Sequence, residues 1–220
     1  MSELLLISAS GLAREVLATV RSSGRYDVVG FLDDDEEMSG IEVDGAPVLG
    51  TIDDAVRYTH AFLLVCVDSG RPRQAVVERL SAMGIGTNRY ATVIDATVRM
   101  PDGCRIGRGS ILLQNVTLTA SVTLGGHVVA MPGVTFTHDD VVDDYATFAA
   151  GTSLGGGVRI GRAAHLGMNS SVRERTSVGS YATIGMGAAV LGDVPDGETW
   201  VGVPAHPVRD AGFNATAAEL

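Results

Sequence analysis

A six-residue period runs through this chain from Ile94 to Val190, and few folds can carry it. Stepping by six from Ile94 meets Met100, Ile106, Leu112, Leu118, Leu124, Ala130, Phe136, Val142, Phe148, Leu154, Ile160, Leu166, Val172, Val178, Ile184 and Val190. All seventeen positions are apolar, and Ala130 alone is small. Four residues beyond each, from Val98 and Cys104 to Val194, the side chain is small or β-branched in sixteen of seventeen cases; the exception is Asp140. A helix repeats at 3.6 residues and a flat strand at 2, so neither holds this register. One short strand plus one corner takes six residues, and three such units close an eighteen-residue triangular coil. Coils of this kind stack as parallel strands about 4.8 Å apart, with the aliphatics filling the interior. Gly107, Gly125, Gly155, Gly161, Gly167, Gly179 and Gly185 each follow an aliphatic directly. They are expected at the corners, where little side chain fits.

Residues 1–90 read differently. Leu4–Ile7 is a buried-strand run, followed by Ser8-Ala9-Ser10-Gly11 and helical spacing of Leu12, Val16, Leu17 and Val20. Val28–Leu32 is a second strand ending in Asp33-Asp34-Asp35, Ile52–Tyr58 a short helix, Ala61–Val67 a third strand and Pro72–Met83 a third helix. Strands alternating with helices predict a small α/β, Rossmann-like domain. The β-helical domain is expected over 91–209, with a closing strand at Trp200–Ala205 and a polar tail at 210–220. No flexible linker separates the domains, so they are expected to pack together.

The chain of 220 residues carries a formal charge of −10 and only 5% aromatic residues, which excludes the basic, stacking surface that nucleic acid needs. No apolar run approaches a membrane span, and Met1–Ser10 lacks a signal peptide's basic start. A cytoplasmic location is expected. Cys66 and Cys104 occupy apolar or small-residue slots and read as reduced packing residues.

Two candidate sites emerge. Ser8–Gly11 joins a strand to a helix, where free backbone N–H groups bind phosphate, and Asp33 and Asp34 follow at the end of the next strand. The glycine fingerprint is incomplete, with Ser8 and Ala13 at its first and third positions. An ordinary strand-to-helix turn beside a solvated acidic loop would look the same. The second site centres on His138, next to Asp139 and beside Asp140, the one carboxylate in the small-residue slot. A carboxylate there costs several kcal/mol unless it is paired or hydrogen-bonded. Asp139 can orient His138 and make it a better general base. His165 lies one full coil after Thr147, so the two side chains should stack on one face. His60 and His206 read as structural or solvent-facing. A zinc enzyme of this shape needs a close histidine pair on one loop. His127 and His138 are eleven apart without that motif, so no metal is expected.

With these residues in place, the chain from Leu4 to about Arg209 resembles the NeuD-type sialic-acid O-acetyltransferases and the PglD-type UDP-4-amino-sugar N-acetyltransferases. Ser8–Gly11, Phe31–Asp34, His138-Asp139, Leu154–Gly161 and Val201–Ala205 carry the resemblance. It implies a left-handed parallel β-helix of the hexapeptide acyltransferase superfamily behind the α/β domain. It also implies acetyl-CoA as co-substrate, a nucleotide-linked sugar as acceptor, and a homotrimer with active sites between protomers. By position, Ser10 and Gly11 would hold the nucleotide phosphates and Asp33 and Asp34 the uridine, with Leu12 and Asp68 as further substrate-binding positions. His138 would be the base and Asp139 its partner, with the thioester carbonyl held by backbone N–H groups. Thr147, His165, Met168 and Met186 would line the coenzyme A channel. Thr147 stands where the family usually has a second histidine, Met131 where it usually has asparagine, Leu12 where the sugar-nucleotide enzymes have histidine, and Asp68 where glycine is common. Direct acetyl transfer is expected, without an acyl-cysteine. The rival readings are a trimeric scaffold that has lost its chemistry and a metal-dependent hydratase of the same architecture.

Overall fold

The computed structural model describes residues 1–208; the tail expected over 210–220 lies outside the described residues. The N-terminal domain is built on three parallel strands: β1 (Ser2–Ile7), β2 (Tyr26–Leu32) and, later in the chain, β5 (Phe62–Val65), in the order β2-β1-β5. Helix α1 (Gly11–Ser23) links the first two. Ser10 caps its start, accepting from the Ala13 N–H, and Gly24 ends it at φ 63°, a left-handed conformation that glycine adopts without strain. A short hairpin of β3 (Glu42–Val43) and β4 (Ala46–Pro47) follows, then a 3₁₀ turn at Ile52–Arg57. Helix α2 (Gly70–Ala82) starts two residues before the expected Pro72, because proline fits the first turn of a helix, where its missing N–H costs nothing. Leu5, Ile7, Leu63 and Val65 face α2, while Leu4, Leu6 and Leu64 face α1 and the solenoid, as the two-residue period of a strand dictates.

From Val93 onward the chain is a triangular solenoid. Its two-residue strands recur every six residues, and each pairs in parallel with the strand eighteen residues away, as Thr123 does with Arg105 and Val141. Three sheets form the prism faces. The docking face runs from Val93–Ile94 to Thr183–Ile184 and gains two closing strands. The second face starts at Thr117–Leu118 and the third at Arg105–Ile106. The aliphatics and the small residues four beyond them form one continuous core.

One local expectation is corrected. The closing segment is not one strand over Trp200–Ala205: Thr199–Val201 continues the docking face, and the chain then turns back so that His206–Pro207 pairs antiparallel. The glycines that follow the aliphatics stand where little side chain fits, as the sequence predicts, and they are distinct from the left-handed residues of the corners. The left-handed position comes three residues after each aliphatic and is held by Asn115, Ser121, His127, Asp139, Tyr145 and Asn169 as well as by glycines. The glycines after the aliphatics are small because the next coil passes directly above. A Cβ on Gly107 would lie 2.4 Å from the Gly125 carbonyl carbon, and one on Gly161 2.4 Å from the Ser180 nitrogen.

The domains do pack together. Ile111, Leu113 and Val129 on the docking face share one core with Leu4, Leu12, Val16 and Ala91. Arg73 of α2 completes the joint. Its guanidinium is buried and donates to the carbonyls of Val67, Asp68, His127, Tyr145 and Ala146 and to the Thr147 hydroxyl. Burial pulls its pKa down to about 10, against the pull of Asp68.

Candidate active site

His138 sits on the prism edge between the second and third faces, opposite the docking face. Its Nδ1 is 2.9 Å from Asp139 Oδ2, and both side chains are open, at 68% and 69% exposure. Asp139 occupies the left-handed corner position at φ 63°, which places its carboxylate beside the preceding ring. With Nδ1–H donating to Asp139, Nε2 is left as the proton acceptor. The ring lies over Gly156, the residue one coil on: a Cβ there would come within 2.3 Å of His138 Nε2. The Gly157 N–H donates to the His138 carbonyl at 2.8 Å, which locks the two corners together. The Gly156 N–H has no hydrogen-bond partner among the described residues. Gly155-Gly156-Gly157 lies within Leu154–Gly161, one of the stretches that carry the family resemblance. The eighteen-residue offset from His138 is the signal that explains its middle member.

Behind this pair, Asp140 is fully buried and accepts from the N–H groups of Thr137 at 2.8 Å and Val158 at 2.9 Å. Burial pushes its pKa up to about 6, with those two N–H groups pulling the other way.

The second cluster lies at the carboxyl ends of β1, β2 and β5. Ser10 Oγ caps α1 and donates to the Cys66 carbonyl at 2.6 Å, so its hydroxyl is committed to the fold. The N–H groups of Gly11 and Leu12 have no partner among the described residues, and a Cβ on Gly11 would meet nothing within 4 Å. The chain itself therefore does not require glycine at this position. Asp33 braces two loops, accepting from the Ala9 N–H at 2.7 Å and the Asp35 N–H at 2.9 Å. Asp34 accepts from the Ile52 N–H and pairs with Arg79, which also holds Asp53. Burial works against the Asp34 charge, yet Arg79 and the Ile52 N–H keep its pKa below the ordinary value. Both acids are held by partners, although Asp34 remains 44% exposed. Asp68 stands at the rim, and burial raises its pKa while Arg73 opposes the shift.

Two side chains expected at the ligand are in the interior. Leu12 is packed into the core by its helical spacing with Val16, so only its backbone faces outward. Thr147 is buried beneath the α/β domain, donating to the Asp68 carbonyl and accepting from Arg73. Its side chain presents no free surface to a coenzyme, since α2 lies over it, which the sequence does not reveal. His165 does pair with Thr147 in register. It borders a cavity of about 200 Å³ walled by Ser69–Pro72, Ala163, Tyr181 and Thr183. Its Nδ1 has no partner, and burial, then Arg73, lowers its pKa. Met168 and Met186 are exposed and stack one coil apart on the edge between the docking and second faces. Arg73 and Tyr145 went unrecognised in the sequence, where nothing distinguishes them from surface residues.

Cys66 is buried, and burial pushes its thiol pKa well up; Cys104 lies in the solenoid core two coils below Asp140. His127 is buried in the corner stack, and His60 and His206 are exposed. Among the described residues, no group of three or more His, Cys, Asp or Glu side chains is close enough to hold a metal ion. No helix among them is long and apolar enough to cross a membrane.

Residues 3–80 match the family described as the PglD N-terminal domain. The acetyltransferase domain of PglB from Neisseria gonorrhoeae FA1090, solved in complex with acetyl coenzyme A, is 30% identical. The match covers 94% of this chain and 99% of that one, with a TM-score of 0.85. WeeI from Acinetobacter baumannii AYE is 28% identical over 94% of this chain and 100% of its own, with a TM-score of 0.84. A curated relative is the acyl-[acyl-carrier-protein]–UDP-N-acetylglucosamine O-acyltransferase of Pseudomonas putida (strain W619), 32% identical over 46% of this chain. The chain spans 42% of the length of that relative. The solenoid is thus a left-handed β-helix behind an α/β domain, and the chain belongs to the PglD-type family of the hexapeptide-repeat acyltransferase superfamily.

Proposed function

We propose that this protein transfers an acetyl group from acetyl-CoA to an amino or hydroxyl group of a nucleotide-linked sugar, a precursor of a bacterial surface glycan. The observation that carries the reading is the His138–Asp139 pair set over Gly156. An imidazole with one nitrogen held by a carboxylate and the other free, beside a glycine whose backbone N–H is unpaired among the described residues, suits acyl transfer. The acceptor nitrogen or oxygen gives its proton to Nε2 as its lone pair bonds to the thioester carbonyl carbon. Charge gathers on the carbonyl oxygen, where the Gly156 N–H is the donor at hand. Collapse breaks the C–S bond, and the imidazolium returns the proton to the departing thiolate. Asp139 orients the ring and balances its charge in between. No acyl-cysteine takes part: the Cys66 thiol is buried and hard to ionise, and Cys104 is two coil spacings, about 10 Å, from the Asp140 slot.

The sugar nucleotide is read at the carboxyl ends of β1, β2 and β5, where open α/β sheets bind ligands. The free N–H groups of Gly11 and Leu12 suit its phosphates. The cavity beside His165 carries that path onto the docking face. The PglB domain's complex with acetyl coenzyme A and the Pseudomonas putida protein's UDP-N-acetylglucosamine acceptor support both ligand classes. His138 stands on the edge opposite this face, so a complete site draws its base from a second copy. A closed trimer supplies that arrangement.

Replacing His138 with alanine is expected to lower kcat by about 10²- to 10⁴-fold, the usual worth of a general base. The check is release of free thiol from acetyl-CoA in the presence of UDP-amino sugars and sialic acid, and a rate equal to wild type would remove the assignment. Acetyl-CoA should also raise the melting temperature. A protein that ignores the donor altogether would instead be the scaffold.

A further inference from the structure

Asp140 is the one residue that breaks the repeat, and the site described so far makes no use of it. The same slot elsewhere is filled with methyl groups at Ala146, Ala164, Ala182 and Ala188, all buried. Where it is polar, a hydroxyl suffices: Ser110 Oγ accepts from the N–H of Val128, eighteen residues on, at 3.1 Å and donates to the Gly125 carbonyl. The fold therefore asks for no carboxylate here.

What the carboxylate holds is specific. One oxygen takes the N–H of Thr137, the residue just before His138, and the other takes the N–H of Val158, two residues past Gly156. A single group thus grips both halves of the contact between the imidazole and the glycine. The titratable neighbours it feels are His138 and Asp139. The coils below and above present Val122 and Val158, which carry no charge.

We propose that Asp140 is a positioning residue of the transfer site: its carboxylate fixes the His138 corner over Gly156 and places a buried negative charge behind the ring that takes up the acceptor's proton. This rests on His138 being the base. Retaining a buried charge that packing does not need is the compromise expected at a working site rather than in a core.

The test is Asp140→Ser, which keeps the Val158 bond in the way Ser110 keeps its own and should fold. Turnover is expected to fall by about 10²-fold while the KM for acetyl-CoA stays within about twofold, because misplacement of a catalytic group costs rate rather than donor binding. Unchanged kcat, or a loss confined to KM, would overturn the proposal. A crystal structure of the same variant gives a readout that needs no acceptor: the His138 ring should leave its place over Gly156, and an unmoved ring overturns the proposal equally. Should the wild-type protein transfer no acetyl group, or His138→Ala keep full rate, the functional reading fails. The crystal comparison would still decide what Asp140 holds.

Discussion

Buried His127 and buried Asp140 load the fold in opposite directions as the pH changes. His127 is wedged edge-on against Tyr90, with ring centroids 4.7 Å apart, and stacks on Tyr145 at 5.3 Å. Burial, then the nearby Arg73, lowers its pKa from 6.5 to about 4. The stability that this histidine contributes is present above 6.5 and is lost as the pH falls through 4. Asp140 is raised from 3.8 to about 6, so its contribution is full below 3.8 and is lost as the pH rises through 6. Each shift corresponds to about 3 kcal/mol, so between pH 4 and 6 the two nearly cancel. Asp140→Ser removes one arm. Its stability relative to wild type should improve by about 3 kcal/mol from pH 4 to 6 and level off above. Urea titrations at stepped pH and one fixed protein concentration would show it, and a difference that does not change with pH would contradict the assignment.

The eighteen-residue coil makes two different demands on small residues. At the left-handed corner the demand is conformational, and Asn115 and Asn169 meet it as well as glycine does. Directly after the aliphatic the demand is spatial, since the neighbouring coil's backbone is already at contact. Gly161→Ala is therefore expected to cost about 1–3 kcal/mol, as an added methyl group in a closed space does. Gly187, left-handed at φ 68° with nothing within 4 Å of an added Cβ, should accept asparagine within about 0.5 kcal/mol. Chemical denaturation of the two variants side by side tests the distinction. Equal costs would mean that one rule governs both positions.

The whole molecule separates what its proposed chemistry needs to bring together. The loops proposed to read the nucleotide lie on the docking-face side, with Val67 and Asp68 held by Arg73, while His138 stands on the far edge of the same prism. The proposed chemistry therefore predicts an active site shared between copies, and mixing inactive chains tests it. His138→Ala removes the base, and Gly11→Trp blocks the loop without disturbing packing, because nothing lies within 4 Å of that Cβ. Each should be inactive alone, whereas co-expressed chains should recover activity at about a quarter of the sites in a random equimolar trimer. No recovery would place the whole site in one chain.

How much of this was legible in sequence depends on whether the controlling contact has a period. The solenoid, its core slots, the parallel α/β domain, the Thr147–His165 register and the oddity of Asp140 could all be read by counting. Strand alternation and the six-residue step are set by local backbone geometry, which each residue type reports directly. The role of Gly156 was within reach of the same counting, one coil beyond His138. Thr147 and Leu12 were expected at a ligand because position alone decided them, and both are buried. Whether an outward-facing side chain meets solvent, a ligand or another domain depends on where α2 comes to rest. That placement is settled by the apolar patch on the docking face and by the carbonyls gathered around Arg73, a contact between segments more than fifty residues apart. Local sequence carries the period, and only the assembled chain decides which of its faces remains open.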